Sequence, residues 1–307
     1  MLNKKRKLIY FLIFYLIYFT NILAFELEEI FDGIFVHFGK QEDSNKKNEG
    51  DISNIGFIIG SKSIMVVDTG GTPKIGKKLL NSIKKISNLP ISHVVITHSH
   101  PDHFFGTQVF NNYKPKIIGH EKLNRSLVNN FEFYKSLQFN LTNVDSIKES
   151  KLVLANKIVK IGEKIEVDLG ERIIEIKAWP SGHTDNDLSI YDKKTKVLWT
   201  ENIFVDRIPP IRASILGWKL NIEQLLNQEI SMIIPGHGHP KTKKQAINPM
   251  MKYFNRIIKE TREYHATNKT LSEAQKNIAK KNVENWLLFE NYHISNISKA
   301  YTELEWE

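Results

Sequence analysis

Residues 95–107 read VITHSHPDHFFGT: a β-branched run, then three histidines and an aspartate within six positions (His98, His100, Asp102, His103). An apolar interior cannot satisfy that many imidazole nitrogens, and a solvated loop gains nothing by crowding them. Imidazole and carboxylate are, however, ligands that zinc accepts, and a catalytic zinc takes three protein ligands plus water. His98 and His100 lie two apart, so in an extended segment both point to one side. Asp102 and His103 follow Pro101, which turns the chain, so they can face a neighbouring point. The fold must therefore place this loop at the end of a buried strand and bring distant residues to it, completing two ligand sets.

His183, in SGHTDND (181–187), and His237, in PGHGHP (235–240), are the candidates to complete them. Each sits beside glycine (Gly182; Gly236 and Gly238) at a predicted strand exit, where the backbone can come close to an ion. His37, His93, His120, His265 and His293 stand alone and read as surface or internally satisfied residues, and His239 as part of a solvent-facing loop. The chain has no cysteine. That excludes thiolate chemistry, cysteine-ligated zinc and disulfides, and leaves stability to the core and to metal.

The surrounding pattern predicts a mixed α/β chain. IGFIIG and IMVVDTGG (55–71) read as two apolar strands about a polar turn, and Ile75, Leu79, Leu80 and Ile83 mark a helix. ISHVVIT (91–97) and PKIIGH (115–120) are buried strands, and 121–137 is helical. From 151 the pattern turns to β: hairpins at 163–179 and 188–200, and a last strand in SMIIPGHGHP. The tail from about 244 is helical. The order ββαβαβ, then βββαβ, then helices describes two similar halves, hence a four-layer αββα sandwich with the strand-end loops along one edge. TENIF (200–204) falls on that edge too.

With 307 residues, 41% of them hydrophobic, the chain can bury a full core as one large domain or two small ones. Its formal charge of +9 suggests nucleic acid until Lys4, Lys5, Arg6 and Lys7 are set aside; residues 1–24 hold no acid. No stretch interleaves basic and aromatic residues, so no nucleic-acid partner is expected. The basic head, the apolar run Leu8–Phe19 and the small residue Ala24 are the anatomy of a secretory signal peptide. The run is short for a bilayer span, so cleavage near Ala24 and a periplasmic location are favoured over an uncleaved anchor.

THSHPDH with SGHT and PGHG resembles the metallo-β-lactamase superfamily, and VVDTGG resembles the Asp-bearing strand end that precedes its metal loop. The resemblance covers about residues 30–245. DTGGTPKIGKKLL and the tail WLLFENYHISNISKAYTELE are most similar to an exported branch of quinoprotein-relay and sulfur-oxidation-associated zinc hydrolases. It implies a signal peptide (1–24), a catalytic domain (25–245) and a C-terminal helical extension packed on it (246–307). By position, His98, His100 and His183 would hold one zinc and Asp102, His103 and His237 a second, with Asp68 orienting ligands from behind. A hydroxide shared by the two ions would attack a small ester, thioester or lactam-like substrate, with Asp102 helping to handle the proton.

Many relatives place Gly-Asp after the strand KVLWT, and that carboxylate bridges the ions. This chain has Glu201-Asn202. Asn202 at the bridge position implies a weaker second zinc, and strand alternation points Glu201 to the opposite face. Arg207 and Arg212, in the loop 204–218, are placed to meet an anionic substrate. Two other readings stay open: an iron or di-iron oxidoreductase on the same fold, which the missing aspartate at 202 argues against, and a non-catalytic accessory of a periplasmic redox system. The substrate and the oligomeric state are not written in the sequence.

Overall fold

Short β-branched and aromatic runs separated by Gly, Pro and Asp make the strands of two sheets in the computed structural model, which describes residues 25–307. The expected signal segment lies outside the described residues. The first sheet runs in chain order through β1 (Glu28–Phe31), β2 (Ile34–His37), β3 (Ile55–Ile59), β4 (Ile64–Val67), β5 (Ile91–Val95), β6 (Lys116–His120) and β7 (Lys157–Val159). Its first four strands are antiparallel and β4 to β7 are parallel. The second sheet holds β8 (Lys164–Asp168), β9 (Ile173–Ala178), β10 (Leu188–Asp192), β11 (Val197–Phe204) and β12 (Met232–His237), in the order β12-β11-β10-β9-β8. Only β11 and β12 pair in parallel there.

Seven α-helices are present among the described residues: α1 (Pro73–Ile86), α2 (Pro101–Phe104), α3 (Leu123–Thr142), α4 (Ile215–Leu226), α5 (Lys243–Ala266), α6 (Leu271–Asn277) and α7 (Phe289–Leu304). α1 starts where Thr72 accepts from Ile75 N–H and Pro73 takes the first turn, where no donor is missed. Its Ile75, Leu79, Leu80 and Ile83 are buried, as their spacing predicts.

Three apolar clusters separate four layers. Leu79 and Ile83 of α1 and Leu127 and Phe131 of α3 pack on the outer face of the first sheet. Met65, Val67, Val95 and Ile118 meet Ile174, Ile176, Ile190 and Trp199 between the sheets. Trp218 and Ile222 of α4, Tyr253 and Ile257 of α5, and Ile297 and Leu304 of α7 cover Leu198 and Ile233 of the second sheet. This is the αββα sandwich expected from the pattern. The terminal helices share one cluster with α4 and form its outer layer. β1, β2 and β7 were not legible in the pattern: β1 alternates poorly and exposes two glutamates, and β7 has three residues.

The sheets are stitched together at one edge. Leu188 N–H donates to Thr97 O (2.8 Å), and Asn54 N–H donates to Gly236 O (2.8 Å). The candidate ligands lie along this seam.

Candidate metal centre

The parallel strands β4 and β5 end side by side, and the chain changes course at both ends. Asp68, after β4, adopts φ 53, a left-handed conformation that Asp tolerates better than most residues. It is fully buried, and its carboxylate accepts from Thr97 N–H (2.8 Å) and Thr97 Oγ1 (2.7 Å) beyond β5. Pro101 then opens the single turn α2, which turns Asp102 and His103 inward, both buried.

Two ligand sets converge. His98 Nε2 lies 2.8 Å from His100 Nδ1, and His183 Nε2 lies 3.1 Å from the same atom. All the ligand atoms of this set fall within 4.8 Å of one another. Zinc–nitrogen bonds of about 2.0–2.1 Å suit nitrogens gathered this closely. His183 Nδ1–H donates to Pro210 O (2.9 Å), which fixes its tautomer and leaves the Nε2 lone pair facing inward. In the second set, Asp102 Oδ2 lies 3.3 Å from His103 Nε2 and 3.4 Å from His237 Nε2. His103 Nδ1–H donates to Asp68 (2.8 Å), the role expected of that residue. His237 Nδ1–H donates to Ile52 O at 2.7 Å. The Arg207 guanidinium lies farther from the same nitrogen, at 3.2 Å; with the Nδ1 proton directed at the nearer carbonyl it makes no hydrogen bond there, and Nε2 stays free.

Glu201 corrects the sequence reading. Its carboxylate is fully buried, belongs with His98 and His103 as a third potential ligand group, and lies 3.6 Å from His103 Nε2. Asn202 was expected at the bridge; its amide finds no hydrogen-bond partner and its Oδ1 lies beside Gly182 on the α4 side. Glu201 and Asn202 do leave the strand toward different sides, but residue 201, not 202, faces the ligands, because β11 does not stay regular. Thr200 pairs with Pro235, but Phe204 pairs with His237, so four steps on one strand oppose two on the other. Such a bulge resets which face each residue takes. The glycines also serve differently than expected: a Cβ on Gly236 would lie 1.4 Å from Glu201 Oε2, so this glycine makes room for a carboxylate.

The electrostatics fit cations. Burial, together with the neighbouring imidazoles, pushes His98 well below the usual histidine range; burial likewise lowers His183 and His237 well below it and His100 to about 4. Their lone pairs are therefore available. Burial alone would lower His103, yet Glu201, Asp102 and Asp68 outweigh it and hold it well above the ordinary value. Burial drives Glu201 up, and neither of its oxygens has a hydrogen-bond partner; nor has His103 Nε2. Three buried carboxylates around this group of closely gathered imidazoles suit two divalent ions.

The arginines separate. Arg207 is buried, with Asp43 Oδ1 3.8 Å away, whereas Arg212 is exposed, 5.5 Å from the Tyr292 ring, with its charge felt by His100 and His183. The histidines set aside from the sequence do find other partners: His37 meets Asp51 and Glu26 O, His93 meets Ser92, His120 meets Trp179 O, His265 meets Tyr301 O, and His293 meets Tyr253 and Ile278 O. His239 packs against Phe38.

A family model described as the metallo-beta-lactamase superfamily matches residues 48–237. Metallo-beta-lactamase IND-1 of Chryseobacterium indologenes is 25% identical over 196 residues, 62% of this chain and 73% of that one. A linear primary-alkylsulfatase of a Pseudomonas species is 41% identical over 54 residues, 18% of this chain; the chain spans a tenth of that relative's length. Among solved structures, the sec-alkylsulfatase Pisa1 from Pseudomonas matches with a TM-score of 0.70 at 18% identity, covering 90% of this chain and 50% of its own. A metallo-beta-lactamase from Pontibacter korlensis matches at 0.59 and 16%, covering 75% of this chain and 98% of its own. These two structures speak for the fold.

Proposed function

Since the chain belongs to the metallo-β-lactamase superfamily, we propose that it is a zinc-dependent hydrolase of small anionic esters, holding two ions. The carrying observation is the convergence of the His98/His100/His183 and Asp102/His103/His237 sets, with the unpartnered Glu201 carboxylate reaching between His98 and His103. Bound there, zinc would polarise the scissile ester and acidify water. Everything else falls to the chain. Asp68, Ile52 O and Pro210 O fix the tautomers of His103, His237 and His183 before substrate arrives. Burial would raise Asp102, but His103, His237 and His100 hold it below the usual carboxylate range, so it stays ionised. It would serve as a ligand whose ionised carboxylate can also accept a hydrogen bond from water, a narrower role than general proton handling. Arg212, exposed beside the first set, supplies the contact for an anionic group; Arg207 is buried beside His237, and its charge helps to keep that imidazole neutral.

The local match to an alkylsulfatase favours sulfate esters over lactams within this class. A panel of an alkyl sulfate, a carboxylic ester, a thioester and a cephalosporin tests the reading. Turnover of the sulfate ester, lost on chelation and in His183→Ala, is expected. Lactam turnover without ester turnover would refute the ester assignment, and no turnover at all would favour the accessory reading. Glu201 also supplies the carboxylate whose absence at 202 spoke against iron, so metal analysis must accompany the panel. Export belongs to the same proposal: the mature protein should begin near Phe25, which mass spectrometry of the envelope fraction checks.

A further inference from the structure

Helix α7 lies beyond the residues matched by the family, 48–237, yet it reaches a metal-ligand histidine through one loop. Residues 209–214 form a strap between the two. On one side, Arg212 N–H donates to His183 O (3.2 Å), Ser214 N–H donates to Gly182 O (3.1 Å), and His183 Nδ1–H donates to Pro210 O (2.9 Å). On the other side, Asn296 Nδ2 donates to Pro209 O (2.9 Å) and Asn296 Oδ1 accepts from Ile211 N–H (2.8 Å). Glu303 extends the attachment by accepting from Ser214 Oγ (2.6 Å), Ile215 N–H (2.8 Å) and Leu216 N–H (3.3 Å), an anion at the start of α4.

Pro209 and Pro210 carry no N–H, so the strap cannot tie itself down at these positions. The side chain of Asn296, fully buried, holds the polar groups on both sides of Pro210. We propose that Asn296 is a positioning residue of the metal centre. By fixing Pro209 O and Ile211 N–H it fixes the Pro210 carbonyl, and that carbonyl sets the tautomer and ring plane of His183. The inference rests on reading His98, His100 and His183 as a metal set. Groups that orient ligands directly are worth about 10–100-fold in metal affinity. Asn296 acts one step further out, so about tenfold is expected.

Cobalt(II) titration of the full-length apoprotein, followed by visible absorption, tests this. His183→Ala first identifies the absorption that belongs to the first set. Asn296→Ala should weaken cobalt binding in that absorption about tenfold and shift its bands. Tyr253→Phe is the control: it removes a hydroxyl that Asn296 also contacts (3.1 Å) but that touches nothing in the strap. It should lower the melting temperature and keep the wild-type cobalt spectrum. Wild-type binding and bands in a folded Asn296→Ala overturn the proposal, as does an equal spectral change in Tyr253→Phe. Should Asn296→Ala fail to fold, Glu303→Gln loosens the same strap: weaker first-set binding supports the proposal and unchanged binding overturns it. A wild type that takes up no cobalt overturns the metal reading itself, and this inference with it.

Discussion

Replacing Glu201 with Met should raise stability without metal and lose most of that gain in excess zinc. In the metal-free protein the Glu201 carboxylate is fully buried and neither oxygen has a hydrogen-bond partner. A buried polar group left so costs about 1–3 kcal/mol. Its one close charge, His103 Nε2 at 3.6 Å, keeps Asp102 (3.3 Å) and Asp68 (2.8 Å) in the variant. Met fills similar volume without the charge, so the chelated variant should be more stable by about 1–3 kcal/mol. At about 2–4 °C per kcal/mol for a domain of this size, the melting temperature should rise by about 2–12 °C. With zinc that gain is opposed by lost binding. Zinc at a hundred times its dissociation constant contributes about 2.7 kcal/mol, and each tenfold loss of affinity removes about 1.4 kcal/mol. A hundredfold loss of affinity therefore removes about 2–3 kcal/mol, enough to cancel most or all of the gain. Calorimetric melts of both proteins, in chelator and in excess zinc, read the difference between the two shifts. A shift of the same sign and size in both conditions would mean that the Glu201 carboxylate does not face the ions.

Asp68→Asn keeps one acceptor oxygen where three donors converge, so His103 loses its tautomer; zinc affinity of the second set should fall about 10–100-fold with the first set spared, by competitive chelation. Asn202→Asp should leave zinc retention against chelator unchanged and lower stability, because its carboxylate would be buried beside Gly182; better retention of a second ion would put residue 202, not 201, at the centre. At the opposite edge, Arg172→Ala leaves Asp192 buried without the guanidinium that now sits 2.7 Å from it, which should cost about 3–5 kcal/mol in urea denaturation at unchanged metal content.

How much of this was legible in the sequence follows from how local each signal is. His98, His100, Asp102 and His103 share one loop, and their crowding has no bland explanation. His183 and His237 were found because each sits beside glycine at a strand exit. Asp68 was reached through the family resemblance of VVDTGG, not through any local signal of its own. Glu201 was assigned to the wrong face because its orientation depends on β11 pairing irregularly with β12, a tertiary fact that a period-two pattern cannot contain. Gly236 needs a partner in space before its meaning shows: only the Glu201 carboxylate explains why no side chain fits there. Asn296 is more remote still, more than a hundred residues from the histidine it supports through Pro210, and nothing in its local sequence marks it.

Anomalous diffraction at the zinc edge, from crystals of protein purified without added metal, tests the central claim most directly. The account predicts two peaks per chain: one bounded by His98 Nε2, His100 Nδ1 and His183 Nε2, the other by Asp102, His103 and His237, with the Glu201 carboxylate between them. A signal at the iron edge in place of zinc, or a single zinc peak with Glu201 turned away from it, would contradict it.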